Sequence, residues 1–553
     1  MSESFWSLPG HAGCRRIYAY GLVCLVLAPL LTPFAETLDA AAWQWSADDA
    51  RRLWHLSLNT LALTAGAVAG TLPFGVGLAV LLFRTSFFGR RFLHFLLAIL
   101  LFVPLPVLVS SWQGFFGSDG FLPSGFWRNA EGRPWVSGLG AAIWIHSMAA
   151  VPWVVFIVGL GLKWVEPELE EEAAQSVGPW RVLLLVTLPR VRASILAAGL
   201  FVVLQTAGEV SVTEMMQVST LAEETRAQFE RGDGSGLART LLISLPGLLL
   251  VWGMVALLAA RLEKELPPLV PPARAHRTLD LGSWRQRLLV GLALLIALAA
   301  PLASLIWKLG LAATPPRWDS ATAWRFLHAE AVVNGATILQ TLGTAALGGV
   351  LIAGLALTGC WLARTSRWFR WLLFGGAIWA WVMPGSVVGI GLKELIQILV
   401  NAWPDGPLAV WLYYAPSPLP VMWAQALRVL PIAVVFLWPV VRMIPRELFE
   451  EARLGGAGPW SEFLHVVWPM TWRAAALTGL AGTALCLGEI AASGRVETAG
   501  WKMFMGVLFE RMHRGADNTA AALSLLLLGC LVGLAVVVSA IAGACKFVHH
   551  LRR

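Results

Sequence analysis

The sequence predicts an all-α polytopic membrane protein built of two tandem six-helix units, with about 12 transmembrane helices. Three observations predict it. Apolar runs of about 20 residues recur through all 553 positions, each long enough to cross a bilayer as a helix. A mean hydropathy of +0.69, with 57% hydrophobic and 13% charged residues, lies outside the soluble globular range. The chain also repeats itself at a spacing of 280. Arg84-Thr85-Ser86 recurs as Arg364-Thr365-Ser366, Pro104 as Pro384, Gly178-Pro179-Trp180 as Gly458-Pro459-Trp460, Gly208-Glu209 as Gly488-Glu489, and Phe229-Glu230-Arg231 as Phe509-Glu510-Arg511. Trp144, Pro152 and Glu171-Glu172-Ala173 match Trp423, Pro431 and Glu450-Glu451-Ala452 at 279, and one residue deleted inside the first island returns the spacing to 280 beyond it. An even number of spans per unit points both units the same way, about a pseudo-twofold along the membrane normal.

The first span, about 17–35, follows Arg15-Arg16. Small residues from Ala35 to Ala42 also suit a cleaved signal peptide, but a retained helix makes the topology symmetric. Spans two to six fall at about 57–83, 92–112, 139–162, 194–214 and 239–260. Spans seven to twelve fall at about 287–309, 334–362, 372–393, 421–444, 473–495 and 519–545. Pro104 and Pro384 sit in the third span of each unit and predict a kink there. A basic, proline-rich connector from Arg261 to Arg277 divides the chain into units at 1–260 and 287–553, with a linker at 261–286. Both termini, the linker and the arginine-rich loops share one side, which the positive-inside rule assigns to the cytoplasm. The formal charge of +8 is thereby a matter of membrane insertion, and no nucleic-acid partner is expected. The outer segment after Glu209, with several arginines among acids, is an exception to the charge rule. Six cysteines in or beside apolar segments form no disulfide framework or zinc spacing.

A polar island runs from Pro445 to Pro469 between two apolar segments. Proline with an acidic neighbour opens a helix well. Leu448, Ala452 and Gly456 fall at i, i+4 and i+8, a stripe of shrinking side chains on one face. Gly458-Pro459 ends that helix and starts another, Trp460 to Val467, predicted to stop before Pro469. The pattern predicts two short helices in an L. The same island occurs from Pro167 to Pro189, with one residue fewer between Ala173 and Gly178 than between Ala452 and Gly458, and with Val177 where a glycine is expected.

Both islands resemble the EAA loop, E-A-A-x-x-x-G with a downstream proline, of permease subunits in binding-protein-dependent ABC importers. The second carries Glu450-Glu451-Ala452, Gly456, Pro459 and Pro469; the first carries Glu171-Glu172-Ala173, Gly178, Pro179 and Pro189. The resemblance implies two MetI-like permease domains in a bacterial cytoplasmic (inner) membrane, both ends cytoplasmic. It implies loops at about 165–192 and 445–472, each docking one of two ATP-binding cassette subunits, and an extracytoplasmic solute-binding protein as a further partner. The fused layout resembles ferric-iron and thiamine permeases, with polyamine and aminoethylphosphonate permeases more distant, and ferric iron is the expected cargo.

No Gly-x-x-x-x-Gly-Lys-Ser/Thr loop is present, so ATP hydrolysis is expected on separate subunits. No cofactor, metal site or catalytic residue is predicted, and no nucleophile has a partnered base, which argues against a polytopic enzyme. A secondary transporter with six-plus-six repeats is the competing class, but facilitators have no reason to carry two EAA islands. Intramembrane ionisable residues are functional candidates. Glu209 and Glu489 stand at repeat-related positions in the fifth spans, as pathway carboxylates or as glutamates paired near the outer interface. His146 and Arg428 also lie within spans and are read as packing residues.

Overall fold

The computed structural model describes residues 9–39, 43–86, 89–116, 137–265, 283–312, 317–515 and 517–551. Most of the linker, 266–282, lies outside these residues.

Pro9–Leu22 (α1) runs through a wide π turn, Val23–Leu27, into Ala28–Leu31 (α2) and a 3-10 turn, Thr32–Leu38. Pro29 and Pro33 lack the N–H that a regular ladder needs here. Ala47–Arg84 (α3) opens on a capping box: the Asp49 amide donates to Ser46 Oγ at 3.0 Å, and the Ser46 amide donates to Asp49 Oδ2 at 3.2 Å. Arg90–Leu100 (α4) and Leu105–Phe116 (α5) are bent by 111° at Pro104, so the predicted third span is a break and not a kink. The Pro104 carbonyl accepts the first amides of α5, from Val107 and Leu108, at 3.1 and 3.2 Å.

Gly138–Leu162 (α6) leads to the first island: Pro167–Ser176 (α7), Pro179–Val182 (α8), a π turn over Leu183–Thr187, and Leu188–Arg190 (α9). Arg192–Ala207 (α10) follows at 66° to the island helix, then Ser211–Met215 (α11), Leu221–Arg231 (α12) and Gly234–Glu265 (α13).

The second half begins with Trp284–Leu309 (α14) and a short antiparallel hairpin of Leu311–Ala312 (β1) and Arg317–Trp318 (β2). Ser320–Val333 (α15), Gly335–Arg364 (α16), Arg367–Val382 (α17), Gly385–Ala402 (α18), Pro407–Ala409 (α19) and Leu419–Arg442 (α20) come next. The second island is Arg446–Leu454 (α21), Pro459–Glu462 (α22) and a π turn over Phe463–Val467. Trp468–Gly488 (α23), Phe504–His513 (α24) and Asp517–Leu551 (α25) complete the chain.

Among the described residues, eight helices are long and apolar enough to cross a membrane, and the two bent pairs bring the number to as many as ten. A count of twelve needs α14 and α23 as well, helices of 26 and 21 residues. Arg473, three threonines and three glycines keep α23 less apolar than its neighbours.

The halves cross each other at their breaks. Gly208, at the end of α10, lies against Pro384: a Cβ there would come within 2.9 Å of the proline Cα. Gly488, at the end of α23, lies against Pro104 in the same way, and a Cβ there would come within 2.8 Å of the proline Cγ. The first span of each half also packs on the helix after the other half's proline. Ser304 of α14 donates to the Ser111 carbonyl of α5 at 2.7 Å, while Thr32 donates to the Gly391 carbonyl of α18 at 2.8 Å. Positions 111 and 391 are 280 apart, so the same carbonyl is used twice.

Candidate functional site: the paired loops

In each loop the acidic pair lies on the exposed side. Glu171 and Glu172 on α7, and Glu450 and Glu451 on α21, are exposed, whereas Ala173 and Ala452 are half-buried. Leu448 and Ala452 pack against the chain's own core. The small-residue stripe is therefore turned inward, and the outward face carries the glutamates with Leu454, which is 88% exposed. A nine-residue helix lying on a membrane protein packs its own apolar positions against that protein first, which is why Leu448 and Ala452 are half-buried.

Gly456 does not continue the stripe either, since α21 ends at Leu454. It adopts φ +80°, and the Gly456 amide donates to the Arg453 carbonyl at 2.9 Å while the Ala457 amide donates to the Ala452 carbonyl at 3.0 Å. This is a Schellman ending, in which glycine supplies the left-handed residue without a Cβ penalty. Val177 is not its counterpart. Val177 is extended, φ −135° and ψ 157°, and its amide donates to the Ala173 carbonyl at 2.9 Å. The residue missing from the first loop is the left-handed glycine itself, so α7 ends without one.

Gly178 and Gly458 are extended N-caps, and Pro179 and Pro459 open the next turns, where a missing N–H costs nothing. The second short helix does not stop before Pro469, as the sequence pattern predicts. Helix runs on through Pro469, and through Pro189 in the first loop, because a π turn precedes each. The amides of Leu188 and Trp468 reach back five residues, to the carbonyls of Leu183 and Phe463. That widened turn shifts the ladder at the point where proline has no donor to give.

The roots of the loops are braced differently. Arg84, 1% exposed, closes α3 and lies 2.9 Å from Glu170 Oε1, which also accepts from Thr187 Oγ1 at 2.6 Å. In the second half Arg364 occupies the place of Arg84, but Phe449 stands for Glu170 and Val467 for Thr187. The Arg364 guanidinium lies 4.2 Å from the Phe449 ring centroid, a cation–π contact in place of an ion pair. The second loop places its own buried carboxylate elsewhere: Glu462 accepts from Arg453 Nε at 2.8 Å and Trp361 Nε1 at 3.1 Å. Sequence reasoning misses these pairs, although aligning the repeats sets Glu170 opposite Phe449.

Glu209 and Glu489 lie at helix breaks and not deep in continuous spans. Glu209 accepts the amides of Ser211 and Val212 at 2.6 and 2.8 Å; Glu489 accepts those of Ala492 and Ser493 at 2.8 and 2.9 Å. Each carboxylate folds onto the turn that follows it and satisfies amides otherwise orphaned in an apolar setting. His146 Nε2 stands 3.7 Å from Glu209 Oε2, and Arg428 donates to the Met383 carbonyl at 2.9 Å beside the second break. The arginines that depart from the charge rule in the outer segment are paired: Arg226 with Glu214 at 2.7 Å and with Glu230 at 3.1 Å, and Arg231 with Glu224 at 3.7 Å. Arg495 of the second half joins Glu230 at 2.6 Å.

An all-helical polytopic chain with two such loops has the features of a membrane permease. Over 221 residues it is 28% identical to the molybdenum transport system permease protein ModB of Escherichia coli strain K12, covering 38% of this chain and 95% of that protein. The ModB protein of Escherichia coli O157:H7 matches to the same extent. No protein-family profile matches the chain. One ModB chain thus corresponds to less than half of this one, and the likeness supports an ABC importer permease in general terms.

Proposed function

We propose that this chain is the membrane-spanning subunit of an ATP-driven importer of a bacterial cytoplasmic membrane, with two permease domains, 1–260 and 287–553, fused in one polypeptide. The observation that carries the reading is the pair of surface helices, α7 and α21, each presenting two exposed glutamates at the same repeat position. An amphipathic helix that buries one face in its own protein and offers the other is suited to a partner's groove. Separate ATP-binding cassette subunits would dock there, one per loop, and a soluble binding protein would deliver cargo to the opposite face. Both termini and the linker then lie in the cytoplasm. Labelling of cysteines placed at positions 265 and 549 from outside sealed cells should fail, and labelling at either overturns the topology.

For cargo, the likeness to a molybdenum permease favours molybdenum, which water presents as an oxyanion, over the ferric iron expected from the fused layout. Glu209 and Glu489 are consistent with that preference, because their carboxylates are engaged by backbone amides. Co-purification with candidate ATPase subunits followed by uptake of labelled molybdate and ferric iron tests both levels. Absence of ATPase retention sinks the importer reading, and iron uptake without molybdate uptake sinks the cargo reading.

A further inference from the structure

The second loop has a basic pocket at its root. Arg364, Arg446 and Arg453 line a cavity of about 190 Å³ together with Trp361, Thr365 and Phe449. At the corresponding places in the first half stand Arg84, Pro167 and Ala174, so two of the three arginines are particular to the second loop. Arg84 is neutralised by Glu170, but Arg364 is held by the Val441 and Ile444 carbonyls, at 3.4 and 2.7 Å, and by the Phe449 ring. Glu462 is fully buried and engaged by Arg453 and Trp361, and Glu447 is exposed on α21. Arg446 is exposed at the rim. Three guanidinium groups thus line one cavity, and the buried Glu462 carboxylate that Arg453 and Trp361 engage is not part of its lining.

We propose that this pocket binds a phosphate group, supplied either by inorganic phosphate or by the headgroup of an acidic phospholipid. Guanidinium groups present paired N–H donors that match phosphate oxygens, and Arg364 uses only part of its set on carbonyls. Arg364 closes a 30-residue apolar helix, which places the pocket where lipid headgroups begin. Basic pockets between helices on the cytoplasmic side are suited to such headgroups. A bound phosphate would lie beside Arg364 where Glu170 lies beside Arg84.

The test uses the purified full-length chain in detergent, without ATPase subunits, so it fails or succeeds independently of the importer reading. Native mass spectrometry would compare retention of phosphatidylglycerol and phosphatidylcholine, and calorimetry would titrate inorganic phosphate, for wild type, Arg446→Gln and Phe449→Glu. Arg446→Gln should weaken binding about tenfold, the loss of one charge-assisted contact. Phe449→Glu should abolish it by filling the pocket with a carboxylate, as in the first half. Preferential phosphatidylglycerol retention without phosphate binding assigns the site to a headgroup; phosphate binding without lipid preference assigns it to free phosphate. If neither probe binds wild type, or if Arg446→Gln, folded by thermal melting, binds as wild type does, the proposal is wrong.

Discussion

Gly208 lies against Pro384, and the same contact is repeated between Gly488 and Pro104 with the halves exchanged. In both cases the glycine ends a helix and the proline starts one, so the missing Cβ lets each helix end approach the proline of the other half. Gly208→Ala should be more damaging than Gly488→Ala. The added methyl meets the Pro384 backbone in the first case and the end of a proline ring in the second. Melting temperature of the two purified variants checks this order; an equal or reversed effect means the Pro384 backbone is no stiffer an obstacle than the Pro104 ring.

Arg84 and Glu170 form a buried pair whose second-half counterpart uses no second charge. Glu170→Ala leaves the guanidinium uncompensated and should cost about 3–5 kcal/mol. Glu170→Phe with Thr187→Val reproduces the residues found around Arg364 and should recover a large part of the loss. Urea or thermal unfolding of both variants decides, and a double variant no better than Glu170→Ala refutes the equivalence.

Gly456 holds φ +80° at the end of α21. A side chain in that conformation costs roughly 1–2 kcal/mol, more for a β-branched one. Gly456→Val should therefore change the course of the second loop and uncouple ATP hydrolysis from transport, with the protein still in the membrane. Gly456→Asn should be tolerated, since asparagine accepts the left-handed region. Val177→Gly in the first loop should be near neutral. Normal transport by Gly456→Val would remove the loop's ending from the coupling argument.

Glu209 and Glu489 cap the turns that follow them, so Glu→Gln at both positions should lower stability before it alters cargo selectivity. Glutamine has one acceptor oxygen for two amides. A cargo role requires the opposite pattern, reduced uptake with unchanged melting and unchanged basal ATP hydrolysis. Parallel measurement of melting and uptake separates the two.

Burial works against the Glu230 carboxylate, but the hydrogen bond from Arg495 and the charges of Arg226 and Arg495 hold its pKa below the ordinary value of 4.5. A carboxylate depressed on folding contributes stability that is present above its unfolded pKa and lost as pH falls through its folded one. The contribution is modest, because the side chain is 43% exposed. Wild type should melt above Arg495→Gln at pH 6, and the gap should close on acidification below the ordinary glutamate range. A gap that widens in acid reverses the sign and disposes of the pair.

The repeat makes the architecture legible because both halves solve one packing problem with residues at one spacing. Pro104 and Pro384 announce irregularity, but a sequence does not say whether proline kinks a helix or breaks it; the 111° turn follows from what α5 packs against, α14 of the other half. The stripe of Leu448, Ala452 and Gly456 suggests a partner's groove, but Leu448 and Ala452 are half-buried against the chain's own core and Gly456 lies beyond the helix. Periodicity shows which residues share a face but not which body lies against it. The π turns before Pro189 and Pro469 have no signal beyond the prolines themselves. The Arg364–Phe449 contact lies in the aligned repeats as a mismatch, and a repeat is recognised by its matches.

That mismatch bears on inheritance. A symmetric pair of subunits translated from one message must carry the same residue at both loops, and any substitution arrives twice. Here Glu170 and Phe449 stand at one structural address in a single polypeptide. Each address can therefore drift alone, every assembled molecule holds one of each in fixed ratio, and two identical ATPase subunits would meet sites that are not identical.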